Sequence, residues 1–113
     1  MKRTPFTSKP KRMPQQSPKK RAYRASKAGA EAMRHMGRVK ALDCVCCGAQ
    51  GPSEAHHCRS DGMARDDLKT IPLCYECHRG VTGYHLAKAS WHDRHGRDYE
   101  FLPLVQRLLG LSD

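Results

Sequence analysis

The stretch that decides the fold covers residues 44–85 and reads CVCCGAQGPSEAHHCRSDGMARDDLKTIPLCYECHRGVTGYH. Two Cys-x-x-Cys pairs, Cys44/Cys47 and Cys74/Cys77, enclose two adjacent histidines, and another histidine directly follows the second pair. Two such pairs supply the four thiolates that bind a structural zinc ion in a tetrahedral site. Twenty-six residues separate the pairs, which is longer than the usual gap in a zinc ribbon and leaves room for a functional element.

Two disulfide bonds are the alternative to a zinc site. The N-terminal sequence MKRTPFTSKPKRMPQQ is charged but has no apolar segment typical of a secretory signal, and no apolar run is long enough to cross a membrane. We therefore expect a reducing cytoplasm, where Cys-x-x-Cys pairs bind metal more often than they form disulfides. Gly48 suits a zinc knuckle because the turn needs a residue that tolerates positive φ. Cys46 and Cys58 remain as spare thiols.

Positive charge is concentrated towards the N-terminus. Residues 1–40 carry thirteen Lys/Arg and one acid, a net charge of +12, whereas residues 41–113 carry eight Lys/Arg and ten acids, a net charge of −2. Residues 1–21 contain four prolines and one aromatic residue, Phe6, so they cannot repay the entropy cost of ordering. The composition predicts a disordered basic arm that binds DNA phosphates. A solubilising tail is the alternative, and the arm lacks the amphipathic helix that an anionic membrane would bind.

The remaining residues, 22–113, form a domain too small to be stabilised well by a hydrophobic core alone, so a metal that links its elements is expected. The pattern predicts an α+β fold with a core over 44–85 and a helical extension over 86–110. The predicted elements are a helix over 22–41, strands over 54–58 and 68–73, a helix from 74 through 78, and helices over 84–95 and 98–109.

His56 and His57 lie next to each other on the first predicted strand, where successive side chains point to opposite faces. One imidazole can therefore ligate a metal while the other faces water or substrate. His78 follows Cys77, so a zinc ion at the cysteines would aim it towards His56. His85, seven residues later, lies on the same face of any continuous helix and is an open candidate for a third ligand.

The series AHH, DL and LCYECH resembles the zinc-bearing HNH, or ββα-metal, nucleases over residues 44–85. More narrowly, GMARDDLKTIPLCYECH and WHDRHGRDYEFLPLVQRLL are similar to the phage recombination-enhancement nucleases, which require RecA. The resemblance implies a zinc-stapled ββα-metal domain that hydrolyses DNA phosphodiester bonds with one divalent catalytic metal. In the narrower family, a recombinase filament is the implied partner.

The same resemblance implies that His56 and His78 ligate the catalytic metal and that His57 is the general base. A neutral histidine can take a proton from water, while a metal neutralises charge on the phosphate. Asp67 stands where the family usually has Asn; it can orient His57 or ligate the metal, and Asp66 is an alternative for that position. Mg²⁺, Mn²⁺, Ni²⁺ and Zn²⁺ remain candidates. The competing function is a non-enzymatic zinc module that binds DNA or a protein.

Overall fold

A computed structural model describes residues 17–111 of the chain, so most of the predicted basic arm lies outside the described residues. The described part has a two-stranded sheet and five α-helices. This architecture confirms the predicted α+β class. Its elements are α1 (Pro18–Ala25), α2 (Lys27–Lys40), β1 (Glu54–His57), β2 (Thr70–Leu73), α3 (Tyr75–Arg79), α4 (Lys88–His95) and α5 (Leu102–Leu108), with 3₁₀ helices at Ser60–Gly62 and Asp98–Phe101. None of the helices between residues 17 and 111 is long and apolar enough to cross a membrane.

The central hairpin forms close to the predicted positions. β1 and β2 pair antiparallel, with Glu54 opposite Leu73 and His57 opposite Thr70. All four residues of β2 are buried, whereas in β1 His56 is buried and its neighbours Ala55 and His57 are only partly covered. The period of two along β1 therefore separates the two histidines onto different faces, as the sequence predicts.

The predicted helix over 22–41 is wrong in one respect, because two helices meet there at Ser26. The Ser26 hydroxyl accepts a hydrogen bond from the backbone N–H of Gly29, which caps α2, and donates to the carbonyl of Tyr23. A Cβ on Gly29 would fall 1.9 Å from the carbonyl oxygen of Tyr23, so this position requires glycine for α1 to pack closely on α2.

The first helix begins four residues before its predicted start at residue 22. α1 begins at Pro18, so residues 18–21 are helical. Pro18 occupies the first turn of the helix, where its missing N–H costs nothing, and the Ser17 side chain accepts from the N–H of Lys20 as an N-cap. These start signals outweigh the basic composition that favoured a flexible segment.

The hydrophobic core lies between the hairpin and the helices. Trp91 of α4 and Tyr84 pack edge to face beneath the sheet, with ring centroids 5.2 Å apart. The buried core consists of Val39, Cys44, Cys58, Ile71, Leu73, Tyr84, Trp91 and Val105. The two predicted C-terminal helices are shorter than expected. α4 begins at Lys88 after a turn, and α5 follows a 3₁₀ segment because Pro103 cannot donate to a carbonyl four residues earlier.

Candidate functional site

The four cysteines predicted to bind zinc lie together. The Sγ atoms of Cys44, Cys47, Cys74 and Cys77 are all within 4.8 Å of one another, and those of Cys47 and Cys74 are 3.7 Å apart. The first pair occupies a knuckle that closes at Gly48, whose φ of 79° meets the predicted need for positive φ. The second pair opens α3, with the Cys74 side chain as its N-cap. The quartet can therefore hold a zinc ion that joins the chain before β1 to the helix after β2.

The thiols of the quartet differ in acidity. Burial alone would raise the pKa of Cys44, but backbone N–H groups of both knuckles lower it to about 7. Burial and the neighbouring thiols raise the pKa of Cys77. Four thiolates at these positions therefore require a cation, which fits a divalent zinc ion. Burial raises the pKa of Cys46 and of Cys58 to about 12, and both lie outside the quartet, as expected for spare thiols.

A second group consists of His56, His78 and His85, whose ligand nitrogens are also within 4.8 Å of one another. The Nε2 atoms of His78 and His85 are 3.0 Å apart. α3 ends at Arg79, so the two histidines do not share a continuous helix. Instead the chain folds back, and the backbone N–H of His85 donates to the carbonyl of His78. The structure thus brings the open third candidate next to the two predicted ligands.

Each of the two inner histidines is held by a carboxylate. Nε2 of His56 lies 2.8 Å from Oδ2 of Asp98, and Nδ1 of His78 lies 2.7 Å from Oε1 of Glu54. With Nε2 of His56 donating to Asp98, its Nδ1 is an acceptor, and this buried nitrogen has no hydrogen-bond partner within the described residues. A buried orphan lone pair needs a partner, and a carboxylate behind the imidazole is typical of metal-ligating histidines.

The electrostatics of this group also suit metal binding. Burial lowers the pKa of His56 and of His78, and the neighbouring carboxylates only partly oppose that effect. Burial and the nearby His78 lower the pKa of His85 as well. Three neutral imidazoles can converge without charge repulsion and offer lone pairs to a cation at neutral pH.

His57 lies beside this group on the outer face of β1 and is paired with Asp67. Its Nε2 is 2.8 Å from Oδ1 of Asp67, and these side chains are 20% and 19% exposed. The hydroxyl of Tyr23 donates to the other Asp67 oxygen at 3.4 Å. Asp67 is therefore placed to orient His57 and is not part of the histidine group. Asp66 instead accepts from the backbone N–H of Leu68 at 2.9 Å and stabilises the turn before β2.

An open cleft of about 370 Å³ joins these features. His57 and all three histidines of the candidate ligand group line it, together with three arginines, Arg59, Arg65 and Arg79. The cleft is therefore an open space that is surrounded by a candidate base, candidate metal ligands and positive charge. Chemically, such a cleft can bind a phosphate and present water to it.

The two carboxylates that contact the histidine group, Glu54 and Asp98, were not predicted from the sequence. Glu54 precedes His56 by two residues and so shares its side of the strand, which is a usable signal. Asp98 lies 42 residues from His56 in sequence, and no local pattern marks it. Among the histidines without a predicted role, His92 is 2.9 Å from the buried Ser60 hydroxyl and belongs to the packing beneath the hairpin.

Replacing Asp98 with alanine should destabilise the fold. The Asp98 side chain is fully buried and accepts hydrogen bonds from His56 and from the backbone N–H groups of residues 59 and 60. Burial alone would raise its pKa, but these bonds hold the pKa below its usual range. Leaving the donors unpaired should lower the free energy of unfolding by on the order of 3 kcal/mol in urea titrations. The exposed Asp93→Ala variant is the control, and a loss below about 1 kcal/mol for Asp98→Ala would contradict this role.

The comparisons with known proteins identify a family without assigning an activity. No curated protein and no solved structure matches the chain. A family model described as a protein of unknown function, DUF968, matches residues 6–110. That match includes both cysteine pairs, the histidine group, His57 and Asp67. Because it spans nearly the whole sequence, the chain belongs to the DUF968 family.

Proposed function

We propose that this protein is a metal-dependent endonuclease that hydrolyses phosphodiester bonds in DNA. The observation that carries the proposal is that His57, held by Asp67, lines the same cleft as three converging histidines. A zinc module with incidental histidines has no need for a carboxylate-oriented imidazole beside an orphan ligand nitrogen. The resemblance of this segment to HNH nucleases supports the same function.

The histidine group would hold the catalytic metal through Nδ1 of His56 and Nε2 of His78, with His85 as a third ligand. When bound, a divalent ion neutralises the charge that develops on the phosphate and on the leaving 3′ oxygen. Glu54 and Asp98 orient the imidazole rings and hold the ring proton on the nitrogen that faces them, so that in the neutral ring the other nitrogen carries the lone pair for the metal. Imidazole ligands favour Mn²⁺, Ni²⁺ or Zn²⁺, and Mg²⁺ remains suitable where phosphate supplies further oxygens.

His57 would act as the general base. Asp67 accepts a hydrogen bond from Nε2–H of His57, which leaves the lone pair on Nδ1 to take a proton from the attacking water. The Asp67 carboxylate then stabilises the imidazolium that forms, as carboxylates do beside catalytic histidines. An amide at this position, which the related nucleases usually carry, would orient the ring without that charge stabilisation.

The proposed partner is DNA, bound in part through the basic N-terminal third. Lys19, Lys20 and Arg24 are exposed on α1, and more basic residues precede them in the sequence. Cations of this kind displace counterions from phosphates and give affinity that does not depend on sequence. The narrower resemblance adds a recombinase filament as a second proposed partner.

The proposal is tested by a cleavage panel with the full-length, zinc-loaded protein. Single-stranded, duplex and branched DNA are each incubated with Mg²⁺, Mn²⁺, Ni²⁺ or Zn²⁺, with and without a recombinase filament. We expect cleavage of at least one substrate that depends on the added ion and is stopped by an excess of chelator. If the protein is folded and every DNA substrate stays uncut in every combination, the proposed nuclease activity is overturned. The non-enzymatic zinc module then remains.

A further inference from the structure

A second groove adjoins the cleft that His57 and the three candidate ligand histidines line, which we call the metal cleft. Apart from Asp67, the side chains of this groove have no role in the proposed chemistry. It encloses about 200 Å³ between α1, α2 and the loop before β2. Its cations are Lys20, Arg24 and Arg65, and its less polar wall is formed by Tyr23, Met33 and Met36. Arg65 lines both the groove and the metal cleft, so the two spaces are continuous at this side chain.

The charge of the groove favours a phosphate. Lys20, Arg24 and Arg65 are exposed cations, and Asp67 is the acidic side chain that lines the groove with them. That carboxylate already accepts hydrogen bonds from His57 and Tyr23. The net charge around the space is therefore positive, and Arg65 stands between the groove and the cleft where the scissile phosphate would bind.

The wall of the groove favours an unpaired base. Tyr23 is 44% exposed and Met33 is 45% exposed, so an aromatic ring and a thioether lie open beside the cations. Aromatic side chains that alternate with cations are typical of surfaces that bind single-stranded nucleic acid, because bases stack on the ring while phosphates pair with Lys and Arg. In a duplex the faces of the bases are already stacked, and such a wall has nothing to contact.

We propose that this groove, formed by Lys20, Tyr23, Arg24, Met33, Met36 and Arg65, binds one nucleotide of a single-stranded DNA segment that continues into the metal cleft. The base lies against Tyr23, and the phosphate between this nucleotide and the next pairs with Arg65. The relation to the cleft rests on the proposed nuclease function, whereas the binding itself does not depend on cleavage.

The test measures binding of a fluorescent single-stranded oligonucleotide and of the matching duplex to the full-length, zinc-loaded protein without added divalent ions. Tyr23→Ala and Arg65→Ala should each raise the Kd for the single strand by about fivefold or more. The matched controls are Tyr75→Ala and Arg107→Ala, exposed on α3 and α5, which should stay within about twofold of wild type. Lys20→Glu, a surface change that does not threaten folding, should weaken binding like Arg65→Ala.

Tyr23→Ala should affect the duplex less than the single strand. Groove variants that bind the single strand as well as the controls do would overturn the proposal, and so would equal losses for duplex and single strand with Tyr23→Ala. These results can be separated from the proposed function. If the groove variants bind the single strand more weakly but the wild type never cuts DNA, the groove proposal holds and the nuclease proposal fails. If the variants bind as wild type does and the wild type cuts DNA, only the groove proposal fails.

Discussion

Replacing His57 with alanine should abolish DNA cleavage and leave the fold and the metal content unchanged. A general base contributes roughly 10²- to 10⁴-fold to a rate, so the single-turnover cleavage rate should fall by at least about a hundredfold at saturating metal. The side chain is partly exposed and lies outside the hydrophobic core and both candidate ligand groups. Its removal should therefore cost little stability. Circular dichroism and metal analysis by mass spectrometry check that the loss is chemical.

Two further variants test whether the loss is specific to His57 and whether the charge of Asp67 contributes. His95→Ala removes a histidine from α4 that does not line the cleft, so its cleavage rate should stay close to that of wild type. Asp67→Asn keeps a hydrogen-bonding partner for His57 but removes the negative charge, and its rate should fall between those of wild type and His57→Ala. A His57→Ala protein that cuts within tenfold of wild type would exclude His57 as the base.

Substituting Cys74 with serine should release the structural zinc and unfold the domain. Structural zinc contributes roughly 10–16 kcal/mol of apparent binding free energy in small zinc domains, which is as large as the whole stability of a typical domain. Cys74 also caps α3, but serine is a good N-cap, so the substitution separates loss of the metal from loss of the cap. Thermal unfolding by circular dichroism and the zinc content are the measurements.

The control for this variant is Cys46→Ser, which changes a neighbouring thiol outside the quartet. It should keep its zinc and its cooperative unfolding transition. A chelator strong enough to strip zinc from the wild type should reproduce the effect of Cys74→Ser. A Cys74→Ser protein that folds cooperatively without zinc would argue against the four-cysteine site.

Features encoded by neighbouring residues could be predicted from the sequence. The two knuckles and the helix start at Cys74 each depend on a spacing of a few residues, and the alternation of His56 and His57 follows from strand geometry. The sequence also named Asp67 as a partner for His57 without deciding what it does. The contact between Asp67 and His57 is local enough to be guessed, and the fold shows the 2.8 Å hydrogen bond that joins their side chains.

Features that depend on contacts between distant segments could not be predicted. The break at Ser26 is different, because the hydrogen bonds of Ser26 to Tyr23 and Gly29 are local and serine is a common N-cap, so this signal was present in the sequence and was missed. Asp98 reaches His56 only after the C-terminal segment has packed beneath the hairpin. His85 joins the candidate ligand group through a chain reversal after α3, and the two glycines in that segment made the reversal hard to anticipate.

Because His56 and His57 are adjacent in β1, the site is unusually sensitive to an inserted or deleted residue in that strand. The two residues share one chemical identity, so the pairing of β1 with β2 decides which of them faces Asp98 and which faces Asp67. A slip of one residue in that pairing would turn each imidazole to the opposite face and exchange the candidate ligand for the proposed base. An inserted or deleted residue within β1 is therefore far more damaging than most substitutions there.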